Sequence, residues 1–363
     1  MAASNTDNPL VNYCTSDVGE NLLSPDEYER VCSKTNDLLV SVCDYCNERM
    51  ASMVSTQSDK QNITASQVSE LSDIVERFTS FCEKICNRQS PALKAAFKIL
   101  AGNYVHKFHC QRKNKLTMLL DAEQWKVADI PSEFQMLVDK LASGEPLKSI
   151  PSSPIEEGDF ETLNRATGSL KIGSQEYFAV GAVLILLRLI SEYCVCAYDV
   201  PMLAAVIGRN LSELLRTFNS RACQLVLGAG ALRTTGLRTI TSSNLALTSR
   251  ALQLILWVIP HARAQFGFIC TDTIGSLDTI EKDISNHIQQ LENKILSIMK
   301  ILLAEQINDW DAKPPVPSKS FRNISRHLTK LYEAVGPILP EEQVRFSSVS
   351  TLGGGLCFSF MML

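Results

Sequence analysis

The sequence predicts an all-α protein of antiparallel helices joined by short turns. Three observations carry that expectation. Apolar residues recur three and four apart over long stretches. A serine or threonine, with a glutamate or glutamine three residues on, stands before two of those stretches. No alternating run of β-branched residues competes with them.

Residues 1–23 are polar and aperiodic and predict a disordered N-terminus. Residues 24–141 predict a helical bundle. Its first helix, Pro25 to Ser55, opens on Ser24-Pro25-Asp26-Glu27, which combines an N-cap, an N1 proline and a glutamate that closes a capping box. Val31, Leu38, Val42, Cys46, Met50 and Met53 follow at helical spacing, while Cys32, Leu39, Cys46 and Met53 recur every seven residues. A second helix carries the seam Val68, Leu71, Val75, Phe78, Cys82 and Ile85, with Thr64 and Gln67 as its capping box. A third opens at Ser90-Pro91 and runs through Phe97, Leu100, Tyr104 and Phe108 towards Leu120; a turn at 128–131 and a short helix from Ser132 complete the bundle.

Residues 142–173 are rich in Ser, Pro, Gly and acids and predict a linker. Residues 174–343 predict a C-terminal helical domain. Tyr177 to Tyr198 is apolar on most sides and should be central; Pro201 to Phe218 is the next helix, and Asn244 is placed to cap another. Asp272 is placed to cap a helix with the seam Leu277, Ile280, Ile284, Ile288, Leu291, Ile295, Ile298 and Leu302. Prolines at 314–317 stop it, and a last helix covers 321–335. Residues 344–363 form an atypical apolar tail broken by Gly353 to Gly355.

Composition narrows the function. The chain has 363 residues, 45% hydrophobic, and a formal charge of −4, so a nucleic-acid partner is not expected. The start MAASNTDNPL has no basic and apolar signal pattern. The longest apolar run, Phe178 to Leu187, is about half the roughly 20 residues a span needs, so no transmembrane segment is expected. The twelve cysteines in so large a chain read as buried free thiols.

Few motifs suggest chemistry. In CQLVLGAGALRTTGL, Gly228 and Gly230 begin a dinucleotide fingerprint, but Arg233 occupies its third glycine position, and no Asp or Glu occurs from Leu214 to Thr271. The glycines read instead as close-packing or turn positions on or beside a helix, with no strand leading into them. The acid-free stretch carries Arg216, Arg221, Arg233, Arg238, Arg250 and Arg263. If several share a face they form a patch for a partner or anionic lipid; the competing reading pairs each with acids of other helices. Cys43, Cys46, Cys82 and Cys86 have a spacing that zinc could use, but they sit on apolar helix seams and read as core. The basic run from His106 to Lys115 reads as a solvated face, and His287 as a seam flank. No catalytic set, metal ligand set or cofactor site is expected.

Long blocks resemble a known family. Phe218 to Ile255, Phe108 to Gln135 and Lys313 to Gln343 resemble, in collinear order over about residues 28–343, the Vps fifty-four-type subunits of the Golgi-associated retrograde protein (GARP) complex. The related syndetin subunits of an endosomal recycling tether share the glycine block and are the alternative. The resemblance implies an elongated stack of helical bundles, as in multisubunit tethering complexes. It implies a non-enzymatic role in retrograde transport from endosomes to the trans-Golgi network. The implied partners are the other complex subunits, SNARE proteins and, through the arginines, an anionic membrane surface. The implied location is the cytoplasmic face of the trans-Golgi network and endosomes, as a peripheral membrane protein. The family's long N-terminal half is missing, and the pattern is left after Gln343, which suggests a short or truncated form. A membrane-surface module and a glycine-loop enzyme are the competing classes.

Overall fold

The computed structural model describes residues 23–58, 63–87, 89, 91–147, 168–227, 241–270, 274–308 and 318–340. In chain order the elements are α1 (Pro25–Ser58), α2 (Ala65–Cys86), α3 (Pro91–Ala122), α4 (Ser132–Ser143), β1 (Leu170–Ile172), β2 (Gln175–Tyr177), α5 (Gly181–Asp199), a 3-10 turn (Pro201–Leu203), α6 (Ala204–Leu227), α7 (Ser242–Gly267), α8 (Ile274–Asn308) and α9 (Lys319–Val335). The protein is all-α; among the described residues its strands make one short antiparallel hairpin. The chain divides into two compact units, residues 1–61 with 71–100, and residues 62–70 with 101–363.

The first unit opens on the expected cap. The Glu27 N–H donates to Ser24 Oγ at 3.3 Å, and the Ser24 N–H donates to Glu27 Oε2 at 3.0 Å. Cys43 and Val54 are buried on α1, Val75 and Cys82 on α2, and Leu93, Ala96, Phe97 and Leu100 at the start of α3. The buried polar groups bond within their own helices: Asn47 Nδ2 donates to the Cys43 carbonyl, and Thr79 Oγ1 to that of Val75. Lys94 bridges to Glu83 at 2.9 Å, tying α3 to α2. The α1 seam read from spacing divides. Cys46 and Met50 are half-buried, whereas Val31, Leu38, Val42 and Met53 are exposed. The row Cys43, Asn47, Val54 turns inward in their place; it lies about a third of a turn round the helix from Val31, Leu38 and Val42.

The second unit is built around α5 and α7. Both are long and apolar enough to cross a membrane by length and composition, yet most of each is buried inside the unit. They are core helices, which an all-round apolar surface requires. Helix α7 packs on α8, α5 and α6; α6 packs on α5 and α8; α9 lies against α7 and α8. The α8 seam is buried as expected from Leu277 to Ile295, then continues through Met299 and Leu303 in place of Ile298 and Leu302. Each fully buried Leu, Ile or Phe contributes about 2 kcal/mol.

Polar joints fix the connections of this unit. Glu123 accepts the Trp125 N–H through Oε1 and the Ala182 N–H through Oε2, placing a carboxylate at the N-terminus of α5. Trp125, 1% exposed, adopts a left-handed φ of 53°, which a bulky residue holds only when surroundings enforce it. Asn244 supplies part of that enforcement by donating Nδ2 to the Trp125 carbonyl at 3.2 Å. Asn244 is therefore not the N-cap of α7; Thr241 is, and Asn244 closes the box three residues on.

Parts of the expected linker are ordered. Gln265 of α7 accepts the Leu147 N–H and donates to the Glu145 carbonyl, both at 2.9 Å. Leu170 is fully buried in a hairpin whose register pairs it with Tyr177. Gly173, at φ 59°, supplies the turn conformation that a side chain would strain. Gln135 of α4 clasps β1 by exchanging hydrogen bonds with the Lys171 N–H and carbonyl. Residues 148–167, the N-terminal residues 1–22, Ser90, Asp272 and the tail 344–363 lie outside the described residues.

Candidate interaction surfaces

The arginine candidates separate by environment. Arg221 of α6 meets Asp121 of α3, Nη2 to Oδ1 at 2.5 Å and Nε to Oδ1 at 3.0 Å. Arg263 of α7 meets Asp278 and Glu281 of α8, each at 2.8 Å. Arg250 is 3% exposed; Nη2 donates to the Glu176 carbonyl at 2.6 Å, Nη1 to Gln253 Oε1 at 2.8 Å, and the guanidinium stacks 3.6 Å from the Tyr177 ring centroid. Burial lowers its pKa without deprotonating it. Exposed Arg216 donates to Thr279 Oγ1 at 3.3 Å. Arg233, Arg238, Gly228 and Gly230 lie outside the described residues, but α6 continues to Leu227, so a helix leads directly to the glycines.

The basic run on α3 is not one solvated face. His106 and Lys107 are exposed, but His109 is 7% exposed, with Nδ1 2.6 Å from Tyr193 Oη on α5. Its Nε2 faces Glu213 Oε2 of α6 at 3.4 Å, and Lys113 bonds the other oxygen of that carboxylate at 2.5 Å. Arg112 reaches Glu192 of α5 at 2.7 Å and lies over the Phe108 ring. Desolvation outweighs Glu213 and holds the His109 pKa below its ordinary 6.5. A neutral ring with its proton on Nε2, accepting from the Tyr193 hydroxyl, fits both neighbours. Six side chains thus form a polar seam joining three helices. His287 plays a similar part, its Nδ1 lying 2.9 Å from Oδ1 of buried Asn219.

Cys43 is within hydrogen-bonding reach of Cys82 and Cys86. Burial, then hydrogen bonding with Cys43, pushes the Cys82 thiol up to about 11. Burial pushes Cys194 and Cys223 up to about 12. Such thiols stay protonated and unreactive at neutral pH. Among the described residues no group of three or more His, Cys, Asp or Glu is placed to hold a metal ion.

Two outward surfaces stand out among the described residues. On α1, Tyr28, Val31, Leu38, Val42 and Tyr45 are all exposed, Leu38 by 64% and Tyr45 by 67%. Val31, Leu38 and Tyr45 are seven residues apart, and Tyr28 and Val42 fourteen, so they share one side of the helix.

The other is α9. Ser318 caps it by accepting the Phe321 N–H. Phe321, Ile324, Leu328, Leu331 and Val335 line one side, with Val335 buried and the others half-buried. Lys319, Arg322, Arg326 and Lys330 line the opposite side, and all four are exposed. None makes an ion pair with a described residue; Arg326 bonds only Asn323 Oδ1. Sequence reasoning, drawn to the acid-free stretch, passed over this row. Its signal was present in the steps of three, four and four residues between the cations.

A family model described as Vps54-like protein matches residues 174–301. Vacuolar protein sorting-associated protein 54 of Drosophila melanogaster is 43% identical over 326 residues, which is 90% of this chain and 34% of the relative. The protein of that name from Homo sapiens is 39% identical over 331 residues, covering 89% of this chain and 33% of the relative. That from Caenorhabditis elegans is 30% identical over 77% of this chain and 29% of the relative. The chain thus spans about a third of the length of the curated relatives it matches. No solved structure matches it. The family match falls across the α5–α8 core, the relatives extend through both units, and the chain belongs to the vacuolar protein sorting-associated protein 54 family.

Proposed function

We propose that this chain is a non-enzymatic subunit of a vesicle-tethering complex, the Golgi-associated retrograde protein complex, acting in transport from endosomes to the trans-Golgi network. The observation that carries it is the uncovered heptad stripe of α1. Five large apolar residues at seven-residue register stay in water although a second stripe of the same helix is buried. That arrangement suits a helix that joins a further helix. The thiols and the histidine seam, which could have suggested chemistry, are used in packing. The proposed partners are the other subunits of the complex, SNARE proteins and an anionic membrane surface. The proposed location is the cytoplasmic face of the trans-Golgi network and endosomes, as a peripheral membrane protein. The shared name of the matching relatives favours this reading over a syndetin-like subunit.

Affinity purification of the tagged chain from cells tests it. The expected result is recovery of the other tether subunits, lost in a Leu38→Glu/Val42→Glu variant whose melting temperature is unchanged, since both residues are exposed. Recovery of no tether subunit by the unaltered chain would overturn the reading.

A further inference from the structure

The cations of α9 have no partner of opposite charge on the described protein surface. Lys319, Arg322, Arg326 and Lys330 are exposed, and Glu333 is the single acid of the helix. The neighbours along the row sit three or four residues apart, so the like charges repel one another within the helix. The apolar side of α9 is occupied against α7 and α8, with Asn323 bonded to Gln306 of α8 at 2.9 Å. The helix is therefore held by one side and displays the other.

We propose that this face of α9 binds anionic phospholipid, with the four cations at headgroup level and the helix lying along the membrane surface. The proposal deepens the function above and rests on it only for which membrane is met. Two features favour lipid over an acidic protein. Protein interfaces gain most of their energy from a buried aromatic or aliphatic anchor, and none lies among these four cations. Lysines end the row and arginines fill its middle, and a phosphate layer accepts either, since it needs point charges and no fixed fork geometry. Binding of this kind is electrostatic, so it follows the lipid charge and is screened by salt. Because the apolar side stays on the protein, the helix does not insert.

The test is co-sedimentation of the purified full chain with vesicles. Phosphatidylcholine vesicles with and without about 30% phosphatidylserine provide the anionic surface and its neutral control. The chain is expected to bind only the anionic vesicles and to be released in about 0.5 M salt. A Lys319→Gln/Arg322→Gln/Arg326→Gln/Lys330→Gln variant should lose at least tenfold in partitioning, given the contribution of each cation near such a surface. An Arg216→Gln/Arg221→Gln variant should keep its binding. A melting curve and far-ultraviolet spectrum for each variant establish that it is folded. Equal recovery on neutral and anionic vesicles would overturn the proposal, as would equal loss in both variants. So would full vesicle binding by an α9 variant that instead fails to recover a protein partner, because an acidic protein would then be the occupant. The vesicle assay uses the chain alone, so its failure leaves the subunit reading standing. Failure to recover the tether subunits leaves the lipid result standing.

Discussion

Arg250 of α7 and Arg326 of α9 are the same residue type on two helices of one compact unit, and they do opposite things. Arg250 is buried, stacked on Tyr177 and bonded to the hairpin carbonyl of Glu176. Arg326 is exposed and bonds only its helix neighbour Asn323. The difference lies in what each helix brings near it. Helix α7 is enclosed, so a cation there must find acceptors, and it finds them on β2. Helix α9 is covered on one side, and its cations fall on the other. A count of arginines along the chain does not separate these cases; the position of each relative to the apolar side of its helix does.

The sharpest break in the comparison is Arg250→Ala. It removes the ring contact, empties buried space and leaves the Glu176 carbonyl without its donor. The expected loss is about 3 kcal/mol, read by chemical denaturation. Arg250→Lys should recover little, because an ammonium cannot stack and fork as a guanidinium does. A loss below about 1 kcal/mol for the alanine variant would show that the hairpin is not held through this residue.

The histidine seam comes next. Tyr193→Phe removes a buried hydroxyl from His109 at 2.6 Å and should cost about 1–2 kcal/mol. Its pH dependence has a definite sign. Burial holds the folded His109 pKa below 6.5, so the unfolded chain takes up the proton first. The contribution of this group is complete above pH 6.5 and is lost as pH falls from there through the lowered folded value. Glu213, whose pKa is lowered chiefly by Lys113, loses its contribution only further into acid, as pH falls through its own folded value. A His109→Gln variant should flatten the first of these losses in denaturation curves from pH 7.5 downwards. A wild-type stability that rose between pH 6.5 and 5.5 would contradict the assignment.

Much of the fold was legible because caps and seams are local. Ser24 and Glu27, Thr64 and Gln67, and the α2 and α8 seams needed only spacing to be found. The surfaces were harder. Val31 and Leu38 repeat as regularly as any core residue, and period alone cannot say whether another helix covers them. His109 looked solvated because its neighbours are basic, while Tyr193, which buries it, lies 84 positions away. Arg221 and Asp121 are 100 positions apart, and the hairpin strands have three residues each, too few to show alternation. In each case the deciding contact is long-range.

Smaller effects then separate paired surface cations from unpaired ones. Arg263, between Asp278 and Glu281, should lose no more than about 1 kcal/mol on replacement by Ala, and less in high salt, since the pairs are partly exposed. The α9 row should behave in the reverse sense. Lys319 and Arg322 are three residues apart, and Arg322, Arg326 and Lys330 four apart, so each neighbouring pair is unfavourable by about 0.2–0.5 kcal/mol. With no described acid bonded to them, neutralising all four should raise stability by several tenths of a kcal/mol, and salt should stabilise the unaltered chain more than the variant. Denaturation of both proteins at low and high salt measures this directly. If neutralisation instead lowers stability, the α9 cations have acceptors within the folded chain, and the contrast with Arg250 becomes one of degree.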